Sequence, residues 1–251
     1  MRVGAVVGAS LGAYANAFGV LLGLAAIQIA PNLVRDLIGT RRAAAVAAIS
    51  LVQILVFFVV GIPAFVVSVM VSDSALQDKP QALGPAFECV GRVFWRFLGW
   101  SLAVGAAIAG LVVVGALAVA LVPKGDSVGR LIGISIAAAG FITAGWLVVR
   151  WSLLGPVVVL ESAGSTGPLI RSTQLVKGQF WRVVGALVLL GAFSVPGIIL
   201  VALGSNLQTR EIVRPAAYWL GTILEILALP VASTGMVAIY RSLAQSEGAT
   251  A

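Results

Sequence analysis

Apolar residues in this chain run in long blocks, with few polar positions between them. Charged side chains are absent from Val3 to Val34, Ala43 to Ser72, Phe97 to Pro123, Leu131 to Val149 and Val183 to Thr209. A sixth block, Pro215 to Tyr240, is interrupted by Glu225 alone. A helix needs about 20 apolar residues to cross the hydrocarbon layer, and each block meets or approaches that length. The pattern predicts an all-α fold: a polytopic membrane helix bundle of about six transmembrane helices. The spans fall near residues 15–34, 43–72, 97–122, 131–158, 183–204 and 216–240.

The blocks are not independent of one another. Phe94-Trp95-Arg96 and Phe180-Trp181-Arg182 each open an apolar run, and Gly99 and Gly185 follow at matching positions. A Gly-Pro pair precedes each, Gly84-Pro85 and Gly167-Pro168, at the start of a mixed polar and apolar stretch of helical character. Tyr14 to Gly19 is a fainter third copy without the Trp and Arg. A proline marks the second span of each unit: Pro63, Pro156 and Pro230. A proline inside a helix removes a hydrogen bond and bends the axis, which membrane helices tolerate when neighbours re-satisfy the freed carbonyl. Pro196, in the fifth block, breaks the alternation of straight and bent spans. The chain therefore reads as a single transmembrane domain of three pseudo-repeats, about 1–78, 79–162 and 163–246. Each is an interfacial helix followed by a two-span hairpin, and all three interfacial helices fall on one membrane face.

Composition agrees: of 251 residues 60% are hydrophobic and 10% charged, against about 25% charged in a soluble domain. The net charge of +7 falls mostly near span ends, which suits anionic lipid headgroups and excludes a nucleic-acid partner. A cleaved leader ending at Ala13-Tyr14-Ala15-Asn16-Ala17 is disfavoured, since the apolar run continues through Phe18 to Leu22. Lys and Arg near the span ends number nine on the N-terminal side and seven on the other. With the longer polar segments, this bias places both termini in the cytoplasm.

Candidate chemistry is sparse. The chain has no histidine and a single cysteine, Cys89. Imidazole-based catalysis and Cys/His metal sites are therefore excluded, and no cofactor or metal is expected. The densest polar stretch runs from Arg150 to Arg182. On one continuous helix from Pro168, Arg171, Gln174, Gly178 and Arg182 share a face. Arg150, Arg171, Lys177 and Arg182, with Arg92 and Arg96, are the candidates for contact with an anionic headgroup or ligand. Glu161 is placed to pair with Arg171 or Arg150 as a structural ion pair. Within the membrane, Glu225 is the one acidic interruption, and Gln53 is its candidate partner. An ionisable group at such depth costs roughly 2.5 kcal/mol or more, so it marks either a functional group or interhelical glue. The spacings Gly19-xxx-Gly23 and Gly105 to Gly110 suit close helix packing.

The run from Arg150 through Pro156 to Glu161, then Arg171-Ser172, Lys177-Gly178 and Trp181-Arg182, resembles a prokaryotic family. That family is the glycerophosphoryl diester phosphodiesterase membrane-domain-like proteins, and the terminal Tyr240-Arg241 stretch is similar to a shortened form of its C-terminal motif. The resemblance implies six helices and a prokaryotic cell membrane. It does not carry over phosphodiesterase activity, because the soluble barrel of some relatives uses metal-binding Glu, Asp and His residues and this chain has no His. The sequence thus points to a non-enzymatic membrane protein, a lipid-contacting scaffold or accessory protein. Its expected partners are membrane lipids, with a membrane-protein partner or a second copy also open. The alternative is a small transporter or permease subunit using Glu225.

Overall fold

A computed structural model describes residues 2–38, 56–79, 83–122, 127–161, 167–206 and 213–248. Helices account for nearly all of them, with no strand among the described residues. They are α1 (Val3–Asn16), α2 (Phe18–Ile38), α3 (Ile62–Leu76), α4 (Leu83–Ala120), α5 (Ser127–Trp151), α6 (Leu154–Leu160), α7 (Pro168–Val176), α8 (Phe180–Ala192), α9 (Val195–Asn206) and α10 (Val213–Gly248). Among the described residues, four segments are long and apolar enough to cross a membrane, or up to six if each sharply bent pair is one span. The chain is a multi-pass helical membrane protein.

Helices α3 and α10 form the centre, with 56% of their most apolar windows buried, whereas α4 and α5 bury only 6% and 11%. The central packing gathers Leu153, Leu190, Ile239 and Leu243 in one cluster, Leu21, Val67 and Val71 in a second, and Ile62, Val66 and Cys89 in a third. On α4 and α5 many large side chains face outward, among them Leu117, Phe141 and Ile142. In water such a surface would drive aggregation; lipid chains cover it at no cost. Because lipid is as apolar as leucine, the helices are held by close packing and interhelical polar contacts instead of by release of water.

Two antiparallel hairpins show that packing at its closest. In α4–α5, a methyl added at Gly133 would lie 2.5 Å from the carbonyl oxygen of Ala118, and one at Gly115 would lie 3.1 Å from Cα of Ala137. In α9–α10, a methyl at Gly221 would lie 2.6 Å from the nitrogen of Val201, and one at Gly204 would lie 2.7 Å from that of Tyr218. Among the described residues, the spacings expected to pack, Gly19 with Gly23 and Gly105 with Gly110, have no atom within 4 Å of such a methyl. Small-residue spacing marks helices able to approach, and the hairpin register decides which glycines do.

The three stretches expected to repeat differ where lead-in meets span. Helix α1 turns 93° into α2, and α7 turns 98° into α8. In the second unit the lead-in runs straight into the span, so Phe94-Trp95-Arg96 lies in mid-helix in α4. The reason is local in the third unit: Lys177 is extended and Gly178 adopts φ +82°, a left-handed turn natural to glycine. The expected shared face of Arg171, Gln174, Gly178 and Arg182 is therefore not formed, because the helix carrying Arg171 ends before Gly178.

The prolines also act differently from one another. A wider π turn, Phe57–Gly61, precedes Pro63, which stands second in α3, where its absent N–H goes unneeded. Pro156 sits near the start of α6, beyond the break after Trp151. Pro230 lies inside unbroken α10, and its carbonyl accepts from the hydroxyls of Ser233 and Thr234. The expected single span over 183–204 is divided at Phe193–Ser194, with Pro196 second in α9, where its absent N–H goes unneeded.

Candidate functional site

The polar residues collect at the end of the bundle where α10 finishes. One network centres on Arg171 of α7. Its Nε donates to both oxygens of Glu161 at 3.1 and 3.3 Å, and its Nη1 donates to Glu247 at 2.7 Å. The Tyr240 hydroxyl donates to Glu161 at 3.1 Å. A planar guanidinium suits this bridging because its N–H groups diverge in fixed directions towards two carboxylates. The second network is a two-point pair: Arg241 Nε and Nη2 donate to the two oxygens of Asp73 at 2.6 and 2.7 Å. Gln77 also donates to Asp73, and Lys79 donates to Gln77. Adjacent residues of α10, Tyr240 and Arg241, thus tie it to the end of α6 and to the end of α3.

Of the two partners open to Glu161, Arg171 is the one engaged. Arg150 turns instead to Trp146, its guanidinium carbon 4.0 Å from the ring centroid. The backbone carbonyl of Arg150 accepts from the fully buried hydroxyl of Ser172 at 2.7 Å, which fixes α7 against the end of α5. Between these helices lies an open groove of about 580 Å³, with Arg150 and Lys177 on its rim and Trp151, Thr173 and Gln174 along its walls.

The four cations expected to act together are thereby divided. Arg150 and Lys177 share the groove. Arg171 is committed to carboxylates, and Arg182 is exposed on α8 beyond the 98° turn. Arg92 and Arg96 lie on α4 and do not line the groove. Glu225 is half-buried in the α9–α10 hairpin, its Cγ packed over Gly197, where a methyl would approach it to 2.9 Å. Gln53 lies outside the described residues. Among the described residues no three Cys, Asp or Glu side chains gather to hold a metal.

The sequence assigns no ion-pair role to Asp73, Tyr240, Arg241 or Glu247: the terminal stretch enters only through its family resemblance, and Arg241 also as an interfacial cation. A signal for them exists. Asp73, Glu161 and Glu247 are 88 and 86 residues apart, close to the 86 between the two Phe-Trp-Arg elements.

The hydroxyls offer a contrast that tests this packing. Ser172→Ala removes a buried donor to Arg150 and is expected to cost about 1 kcal/mol. The Ser72 hydroxyl is equally buried, with no hydrogen-bond partner among the described residues, so Ser72→Ala is expected to be neutral or stabilising. Thermal unfolding in mild detergent, followed by tryptophan fluorescence, ranks the two; the reverse order would contradict the α5–α7 tie.

Comparison of the chain with protein families, curated proteins and solved structures finds no match.

Proposed function

We propose that this protein is a non-enzymatic component of a prokaryotic cell membrane, a scaffold or accessory protein whose basic end contacts anionic lipid headgroups. On this reading both termini face the cytoplasm, and the chain is kin to the membrane-domain-like proteins it resembles. One observation carries the proposal. At the end of the bundle, Asp73, Glu161 and Glu247 are taken up by Arg241 and Arg171. Arg92, Arg150, Lys177 and Arg182 form no ion pair among the described residues. Those cations stand beside broad apolar helix faces, the arrangement in which phosphates supply the counter-charge. The transporter alternative would call for Glu225 to face a passage. Its place against Gly197 in a tightly packed hairpin suits interhelical glue better.

The test is the lipid that travels with the protein. Purified in mild detergent, a variant with Arg92, Arg150, Lys177 and Arg182 all changed to Gln is expected to carry a several-fold smaller anionic fraction than the wild type. An unchanged fraction would remove the lipid-contact reading. Glu225→Gln is expected to leave lipid content and stability unaltered; abolition of a measurable solute flux by this change would put the transporter in its place.

A further inference from the structure

We propose that the groove between the end of α5 and helix α7 seats one anionic glycerophospholipid, its phosphate held between Arg150 and Lys177. This rests on the lipid-contact reading above and assigns it a single position and a chemistry.

Four features build the seat. Arg150 is held in place at both ends: its guanidinium stacks on Trp146 and its carbonyl is bonded to Ser172. A cation so fixed surrenders little side-chain freedom on binding a phosphate, and it keeps N–H donors at the ring's edge for the oxygens. Lys177 caps α7 across the groove, exposed and without an ion pair among the described residues. Its flexible ammonium supplies the second charge without fixed geometry. Thr173 and Gln174 lie one turn back along α7, within the same groove, and offer hydrogen bonds to a hydroxylated headgroup.

The fourth feature chooses a lipid over a free phosphate ester. The groove is continuous with apolar surface: Leu169 and Ile170 form part of its lining, and Ile170 is exposed. One and two turns back from Arg150 along α5 lie exposed Trp146 and Ile142. A soluble phosphate would use the two cations and leave this surface idle. A glycerophospholipid uses both, its phosphate at the rim and its chains along α5. Arg171 is not a ligand here. It is a positioning residue that holds α7 to Glu161 and Glu247, and so holds the wall bearing Lys177.

Native mass spectrometry of the detergent-purified full chain tests the seat, with phosphatidylglycerol, phosphatidylcholine and glycerol 3-phosphate titrated separately. The wild type is expected to retain one phosphatidylglycerol in preference to phosphatidylcholine, and to bind glycerol 3-phosphate far more weakly. Lys177→Gln and Arg150→Gln are each expected to weaken that single binding event about tenfold, the loss of one charge-assisted hydrogen bond. The paired change of Arg92 and Arg96 to Gln should leave it intact. Lys177 is exposed, so its variant also guards against misfolding, checked by an unchanged unfolding temperature without added lipid. If both groove variants retain phosphatidylglycerol like the wild type, the seat is overturned while a general anionic preference stands. If the wild type shows no preference for phosphatidylglycerol over phosphatidylcholine, the seat and the wider lipid-contact reading fall together. If glycerol 3-phosphate binds as tightly as the lipid, the occupant is a soluble phosphate ester and the lipid assignment fails.

Discussion

Arg171→Met is expected to lower stability by about 2 kcal/mol, more than any other single change at the polar end of the bundle. The substitution takes the guanidinium away from two carboxylates at once. Among the described residues Glu161 keeps only the Tyr240 hydroxyl, and Glu247 loses its 2.7 Å bond to the guanidinium. Removing one partner of a fully buried pair costs about 3–5 kcal/mol, because the remaining charge stays desolvated. Here Arg171 and Glu161 are each 26% exposed and Glu247 is 43% exposed, so water screens part of the loss. Arg171→Lys should recover only part of it, since an ammonium on a flexible stem cannot reproduce the fork. Glu161→Gln should cost more than Glu247→Gln, because Glu161 is the less exposed acid and also serves Tyr240. Thermal unfolding in detergent gives these values. A double-mutant cycle of Arg171→Met with Glu161→Gln should show clear coupling; strictly additive losses would mean the pair seen in the structure contributes nothing.

Gly133→Ala is the second large effect expected, at about 1–3 kcal/mol. A single methyl would meet the Ala118 carbonyl oxygen at 2.5 Å. Backbone cannot swing aside as a side chain does, so α4 and α5 would have to separate. Gly105→Ala is the matched control. It lies on one of the same helices, but among the described residues nothing stands within 4 Å of the new methyl. There the alanine should be neutral, or stabilising by about 0.5–1 kcal/mol, through the lower backbone entropy it loses in a helix. Unfolding temperatures of the two variants, with a cysteine pair placed across the hairpin to read its closure, separate the outcomes. Equal effects at both positions would show that the hairpin register is wrong.

Those two glycines also show how far the sequence could be read. From spacing alone Gly105 looks the better packing residue, since it belongs to a run of small residues. The hairpin brings together Gly133 with Ala118 and Gly115 with Ala137 instead. Spacing records which side of a helix is small. It does not record which height meets the neighbour.

The candidate site divides in the same way. Glu161 and Arg171 are ten residues apart and joined by a short connection, so local reading reached their pairing. Arg241 and Asp73 are 168 apart, and Tyr240 and Glu161 are 79 apart. Nothing near Asp73 announces an arginine from the other end of the chain. Arg182 erred in the opposite sense: it shares a helical repeat with Arg171 on paper, but the left-handed turn at Gly178 carries it away. Read from the sequence, that glycine extends the face; in the structure it ends it.

By itself, the sequence determined that this chain lives in a membrane, that it is helical, and roughly where its apolar blocks begin and end. Those properties are sums over neighbouring residues, and the cost of exposing apolar side chains or unpaired backbone groups is settled segment by segment. Only the tertiary structure decided which helices are central, which glycines touch, where a lead-in helix bends, and which arginines are neutralised. Each depends on the relative placement of helices distant in sequence, and within lipid that placement is set by close contact and polar pairing instead of by hydrophobicity. The six apolar blocks look much alike in composition. What separates Arg150, stacked on Trp146, from Arg171, held between two carboxylates, is where the ends of α6 and α10 come to lie.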